Sequence, residues 1–587
     1  MTTVLKPVDA VVIGFGWAGS ILSSELVDAG LQVIALERGP ARATPTDFVY
    51  PYKNDELKYV QRNAMMVNLA QETLTFRNEM SETALPMRQH GSFLMGTGTG
   101  GSGAHWGGVA WRWLPWDHEP FKRVTERHGR SILRDDMLLQ DWGLTYADME
   151  PWYDRMERAW AVSGKAGKLD GVIMPGGNPF EGSRAREYPN PALTPSPAMT
   201  IMMEAATRLG FHPFISPAAI SSQPYLSPDG VQYGVCHYNG FCERFGCPSN
   251  AKASPNHTIL SQLSAKPGFV LKNNATVMKV NLDRSGKRAT GVTYIDALGR
   301  EFIQPADIVI LTAYGLGNVH LMLLSGIGAP YDPVSGSGVV GKNYAYQCQG
   351  GVTAFMPEST WLNPWMGSGG LQAALDDFNV EANDAQKLGF IGGATIATAS
   401  NGSRPIAFRP TPKGTPEWGT DWKRAVVKHF QHTFMISAQG SGMSYRKNYL
   451  DLDPTYRDAF GRPMLRMTFD FDPNEVRMAE YAIDQCERIA KEAGATQIDR
   501  RSAPKRYSIV PYQSTHNTGG AIMGVDPATS ALNTALQSWD VSNVFVVGAN
   551  ALPQNAGKNP TGPVGALAYR TADTIRRHYL KSPGLLA

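Results

Sequence analysis

No run of about 18 apolar residues occurs anywhere in the chain, so no segment of it is expected to span a bilayer. Blocks of like charge are missing too: 55 Lys and Arg stand against 52 Asp and Glu, a formal charge of +3, which leaves no electrostatic footprint for nucleic acid. Cysteine is scarce, five in 587 residues, too few for a disulfide framework. Met1 to Asp9 lacks the basic region, the apolar region and the cleavage site of an export signal, so export is expected to require a partner. Internal repeats and low-complexity tracts are absent. Hydrophobic residues at 42% and charged residues at 18% describe a folded protein, and 587 residues exceed one typical core, so two domains are expected.

Asp9 to Ile13 reads as a buried strand, Gly14 to Gly19 as a tight turn, Ser20 to Ala29 as a helix and Gln32 to Leu36 as a second strand, which together make a βαβ unit. Ile308 to Thr312 and Val544 to Val547 are further short buried strands, His320 to Leu324 is helix-like before the turn at Ser325-Gly326, and Gly562 to His578 reads as a closing helix. These distant pieces are expected to build one Rossmann-like domain from residues 1–110, 231–341 and 505–587. The Pro-rich and aromatic-rich segments 111–230 and 342–504 are expected to form a second, α+β substrate domain.

Gly14-x-Gly16-x-x-Gly19 follows a strand and opens a helix, the context in which glycines let a pyrophosphate approach the helix N-terminus. Glu37 ends the next strand 18 positions beyond Gly19, where a carboxylate can accept from ribose hydroxyls. FAD and NAD share this element. A second Gly-rich run with Gly98, Gly101, Ser102, His105, Trp106 and Gly107, and the terminal strand leading to Gly548 and Ala549, have the form of flavin-contacting loops and favour FAD.

On residues 9–39, 94–109, 308–328 and 514–575 the chain resembles the glucose-methanol-choline (GMC) oxidoreductase family, with Tyr314 and Val319 in place of the family's usual Gly and Pro in its second signature. Within the family it looks most like the flavoprotein subunits of bacterial membrane-bound gluconate, 2-ketogluconate, sorbitol and fructose dehydrogenases, and Gln554 to Thr561 looks most like the gluconate members. The resemblance implies an FAD-dependent oxidation of a hydroxyl in a sugar acid or polyol, with D-gluconate as the first candidate. An H2O2-forming oxidase and a hydroxynitrile-type lyase are the other activities this architecture carries. The branch also implies a small subunit that bears the export signal, a c-type cytochrome and a periplasmic location.

Four places carry the chemistry. His105 lies in Gly-Ala-His-Trp-Gly-Gly; in the similar pyranose oxidases a histidine here bonds FAD covalently, whereas a histidine that only packs beside the cofactor is the other reading. Cys236, Cys242 and Cys247, interleaved with glycines, suit an iron-sulfur cluster with three thiolate ligands, of the 3Fe-4S type; zinc completed by His237 or His257, and plain thiols, stay open. His516 in Ser-Thr-His-Asn-Thr-Gly-Gly matches the segment in which the resembling family places its active-site histidine, and a neutral imidazole suits the proton of an alcohol. Asn559, before Pro560 and Thr561, matches the second position; it cannot take a proton but can hold the substrate oxygen. Trp361, Trp365, Arg409, Gln431 and Arg446 are candidate sugar contacts without an assigned role.

Overall fold

In the computed structural model, which describes residues 2–43, 47, 65–88, 93–240, 242, 245–399, 410–510 and 514–586, the N-terminal βαβ unit is β1 (Val8–Ile13), α1 (Trp17–Asp28) and β2 (Val33–Leu36). The last four residues of β1 and all of β2 are buried, which is why both read as continuous apolar runs instead of alternating ones. α1 begins at Trp17, earlier than expected, so Gly19 lies inside the helix. It serves packing there: a Cβ on Gly19 would stand 2.0 Å from the Gly14 carbonyl oxygen.

The chain returns to this sheet much later, through β3 (Phe269–Lys272), β4 (Thr276–Leu282), β5 (Ala289–Ile295) and β6 (Glu301–Leu311), then α2 (Gly315–Ser325). The order is β3-β2-β1-β6-β5-β4. β6 is long because it has two partners in succession: residues 301–305 pair antiparallel with β5, and residues 306–311 run parallel to β1.

A second sheet contains the short strand Phe214–Ile215, β7 (Gln349–Phe355), β8 (Gln372–Leu375), β9 (Ala394–Ala399), β10 (Thr433–Gly440) and β11 (Gln497–Arg501). All its pairings are antiparallel. α3 (Pro473–Glu492) contacts β7 and β10 on one face, so alternation along the strands sends every second side chain to the other face. The chain then closes the first sheet with β12 (Val544–Val546), parallel to the end of β6, and ends in α4 (Thr561–Thr574), packed on α1. The architecture is α/β: a Rossmann-like sheet joined to a largely antiparallel one. Among the described residues no helix is long and apolar enough to cross a membrane.

Candidate active site

A cavity of about 890 Å3 is lined by residues of both sheets, a size typical of cofactor and ligand clefts. On the side of the first sheet lie Gly14, Gly16, Glu37, Gly101, Ser102, His105, Trp106, Gly107, Gly548, Ala549, Pro560 and Thr561. Of the cofactor residues expected from sequence, only Gly19 and Gly98 stay off the wall. The cradle has the chemistry of a dinucleotide site. α1 starts at Gly16 with no side-chain cap, so the N–H groups of its first turn are left for an anion. A Cβ on Gly16 would meet nothing within 4 Å, so open space lies where a pyrophosphate must approach. α4 likewise opens at Pro560 without a side-chain cap.

Glu37, expected from sequence to contact ribose, is tied in the structure to the backbone. Its carboxylate accepts from the backbone N–H of Phe15 at 3.0 Å, Gly39 at 2.9 Å and Gly98 at 3.0 Å. It therefore pins three chain segments around the cradle, and Oε2, which holds one donor, keeps acceptor capacity. Gly98 contributes from behind the wall through that N–H. Ser102 accepts from Gly96 N–H at 2.9 Å, and His105 is buried with Nε2 against Gly96. Trp106 donates to the Ala253 carbonyl at 2.8 Å and meets Trp17 and Trp160 edge-on.

At the cavity's centre of chemistry, Nδ1 of His516 lies 2.8 Å from Oε1 of Gln347, and Nε2 lies 2.9 Å from Nδ2 of Asn559. Burial pulls the imidazole down to about 4, so it is neutral around pH 7. Oδ1 of Asn559 is buried without a hydrogen-bond partner among the described residues. The histidine's own carbonyl accepts from Asn555 at 2.6 Å, which fixes the backbone beneath the ring. Tyr314, the departure from the family pattern, has φ +70 and lines the same cavity. Its hydroxyl donates to the Thr515 carbonyl at 3.0 Å and accepts from Nδ2 of Asn517 at 2.7 Å, so it holds both neighbours of His516.

The second sheet supplies the opposite wall. Paired residues share a face, and the rows Gln349–Gln439, Gly351–Ser437 and Thr353–Met435 cross from β7 to β10, with Ala397 beside Ser437 and Arg501 beside Gly351. Gln349, Thr353, Ala397, Met435, Ser437, Gln439 and Arg501 all line the cavity. Arg500 points the other way and is ion-paired to Glu480, Asp484 and Glu487 of α3. Arg501, by alternation, faces the cavity, and among the described residues it has no carboxylate partner.

The structure brings together His516 and Asn559, both expected from sequence, and adds Gln347 and Arg501, which sequence reasoning did not single out. Gln347 carried no signal, being one buried amide ahead of a strand. Arg501 was detectable only from the strand assignment of Gln497–Arg501 and its alternation. Of the sugar-contact candidates, Trp361, Trp365, Gln431 and Arg446 do not line the cavity, and Arg409 lies outside the described residues.

The cysteines lie together without forming a closed metal cage among the described residues. Cys236, Cys242 and Cys247 are neighbours, but no three His, Cys, Asp or Glu side chains among the described residues converge as a metal cage. Cys242 Sγ sits 3.8 Å from the Ser368 hydroxyl, whereas Cys247 Sγ turns to Ser249 Oγ at 3.3 Å and accepts from Lys252 N–H at 3.4 Å. Burial, then Cys242, pushes the Cys236 thiol up to about 11, so it sits there as a thiol. The loop is nonetheless fastened to the cradle. The buried Lys252 ammonium donates to the carbonyls of Trp106, Cys242 and Phe245 at 2.6, 2.7 and 2.7 Å. Cys348 and Cys486 are buried elsewhere, with thiols pushed upward by burial.

Comparison with known proteins agrees with this layout. The GMC oxidoreductase family models match residues 140–348 and 444–568. The chain is 46% identical to the gluconate 2-dehydrogenase flavoprotein of Pantoea cypripedii, over 99% of this chain and 95% of that one. It is 28% identical to 2-methyl-1,2-propanediol dehydrogenase of Mycolicibacterium austroafricanum, over 99% and 97%. It is 25% identical to the fructose dehydrogenase large subunit of Gluconobacter japonicus, over 97% of each chain. The crystal structure of pyridoxine 4-oxidase superposes with a TM-score of 0.57 at 15% identity, over 97% of this chain and 99% of that one, a likeness of fold. With an uncapped dinucleotide cradle facing a half-buried His-Asn pair and a relative of 46% identity along its whole length, the chain belongs to the GMC oxidoreductase family, FAD-binding oxidoreductases acting on CH–OH donors.

Proposed function

We propose that this protein is the flavoprotein subunit of a dehydrogenase that oxidises a hydroxyl of a sugar acid, with D-gluconate to 2-dehydro-D-gluconate as the first candidate. The observation that carries the reading is the neutral His516 at hydrogen-bond distance from Asn559, in a cavity lined by the cofactor cradle on one side and by an amide-rich sheet face on the other. Bound FAD supplies the hydride acceptor. His516 supplies the base: an alcohol O–H donates to Nε2 and its proton passes there as the carbon loses hydride. Nε2 has one in-plane lone pair, so it cannot accept from Asn559 and substrate together. Substrate therefore displaces the Asn559 amide, whose N–H turns to the substrate oxygen while Oδ1, now without a partner, accepts from a neighbouring hydroxyl. Gln349, Gln439 and Ser437 suit a polyhydroxylated chain, and the unpaired Arg501 suits its carboxylate.

The relatives named as gluconate and fructose dehydrogenase components support partner subunits for this one. The proposed partners are a small subunit bearing the export signal and a c-type cytochrome that accepts the electrons on the periplasmic side. Covalent attachment of FAD at His105, and an iron-sulfur cluster at Cys236, Cys242 and Cys247, are separate proposals. The first is supported by the place of His105 on the cradle wall, the second by the three neighbouring thiols and the Lys252 tether to Trp106. Anaerobic addition of D-gluconate, 2-ketogluconate, sorbitol or fructose to the purified flavoprotein should bleach the flavin with at least one of them, D-gluconate fastest. A flavin that none of them reduces would overturn the reading. Acid precipitation should leave flavin on the peptide containing His105, and iron analysis with Cys242→Ser tests the cluster.

A further inference from the structure

We propose that Gln347 is a positioning residue that holds the His516 imidazole in the one tautomer able to take a proton from substrate. The proposal rests on the reading of His516 as the base. Gln347 is fully buried just ahead of β7, and its amide has only one orientation that satisfies its surroundings. Nε2 donates to the carbonyls of Ala556 at 2.8 Å and Lys558 at 2.9 Å, which uses both hydrogens. Flipping the amide would set Oε1 against two carbonyl oxygens. Oε1 must therefore face His516, and it also accepts from Gln349 Nε2 at 3.2 Å. An oxygen that can only accept, 2.8 Å from Nδ1, requires the hydrogen on Nδ1 and leaves the lone pair on Nε2. In the opposite tautomer Nε2–H would confront the Asn559 amide hydrogens and a substrate O–H, and the site would have no base.

The same amide also sets where Asn559 stands. The two carbonyls it binds belong to the loop Ala556 to Lys558 that delivers Asn559 to within 2.9 Å of Nε2. A glutamine suits the task better than a carboxylate would. It orients the ring without adding charge, so the imidazole stays neutral over the whole range around pH 7. The surroundings support this. His516 is held by Gln347, Asn555 and Asn559, and its neighbour Asn517 by the hydroxyls of Tyr314 and Tyr344. The ion pair on the adjacent loop, Lys558 with Asp376, is internally neutralised, and Arg501 is the charge on the facing wall.

The test uses flavin-loaded Gln347→Leu, Gln347→Glu and His516→Ala proteins. Flavin reduction is followed in anaerobic stopped flow from pH 4 to 8, with whichever of the four sugars the unmodified protein oxidises fastest. Gln347→Leu should keep its half-saturating sugar concentration within about threefold and lose on the order of ten- to a hundredfold in limiting rate, as outer orienting contacts do. Gln347→Glu places a carboxylate on Nδ1 and should move the acid limb of the rate profile upward by about one pH unit or more, a shift that mere loss of packing would not produce. An unchanged limiting rate in Gln347→Leu, or an acid limb that stays in place in Gln347→Glu, would overturn the proposal. If the leucine variant loads no flavin, the glutamate profile decides alone. A His516→Ala protein that reduces flavin at the unmodified rate would defeat the base itself, whatever the Gln347 variants do.

Discussion

Removing the guanidinium of Arg501 should cost the protein its preference for acids while leaving its chemistry intact. Arg501 sits at the end of β11 beside Gly351 and has no carboxylate partner among the described residues. Arg501→Leu therefore breaks no ion pair, and folding stability should stay within about 0.5 kcal/mol. A hydrogen bond to a charged group contributes about 1.5–3 kcal/mol. Because Arg501 is exposed, screening favours the lower half of that range. With tenfold for each 1.4 kcal/mol, kcat/KM for D-gluconate should fall about ten- to thirtyfold. For sorbitol, which has no carboxylate, it should change by less than about twofold. The assay is initial rate with an artificial electron acceptor, at two ionic strengths. The unmodified protein should bind gluconate less well in salt, and the variant should lose that dependence. Equal losses for acid and polyol, or no loss for either, would refute Arg501 as the carboxylate contact.

Three further outcomes follow from the same geometry. Desolvation pulls the half-buried His516 imidazole down to about 4, and it is a base only when neutral, so flavin reduction should hold level as pH falls through 6 and decline only as pH approaches 4; a limb centred on the ordinary histidine value near 6.5 would contradict this. Lys558→Met leaves the buried Asp376 with the Thr395 hydroxyl at 2.7 Å and the Asn178 amide at 2.6 Å but no counter-charge, so thermal or urea unfolding should show a loss of about 3–5 kcal/mol, largely restored by adding Asp376→Asn. Tyr314→Phe keeps the strained backbone and loses both contacts to the His516 segment, so flavin reduction should slow while flavin content, read by absorbance, is retained.

How much was legible in the sequence depended on whether a feature is local. The βαβ unit was readable because its signals, a buried apolar strand, glycines at fixed spacing and a terminal carboxylate, fall within 30 consecutive residues from Val8 to Glu37. Its helix start was misplaced by three residues because Gly19 looks like part of a turn until its close approach to Gly14 is visible. His516 and Asn559 were expected to share a site on family likeness alone, since nothing in their 43-residue separation says they touch. Gln347, 169 residues from His516, needed the fold: its role comes from two carbonyls and a ring brought together by three separate segments. The cysteine spacing indicated neighbouring thiols, but spacing does not fix what each sulfur contacts, and Ser368, Ser249 and the Lys252 N–H are found there only in the fold.

Tyr314 holds a backbone conformation that glycine would adopt more readily. The N-cap of α2 has φ +70 and ψ 152, a conformation that favours glycine and costs other residues about 1–3 kcal/mol. Such a cost persists only where surrounding contacts hold the residue in place. Here the contacts are the bonds from the tyrosine hydroxyl to Thr515 and Asn517, with the hydroxyl of Tyr344 also bound to Asn517. They tie the first turn of a helix belonging to the cofactor sheet to the residues on either side of the proposed base. Glycine at this position would relieve the backbone and release the segment. The strain is therefore the cost of a rigid link between cradle and base, and restoring the family glycine with Tyr314→Gly should stabilise α2 locally while loosening His516. A faster flavin reduction in that variant would show that the link does not serve catalysis.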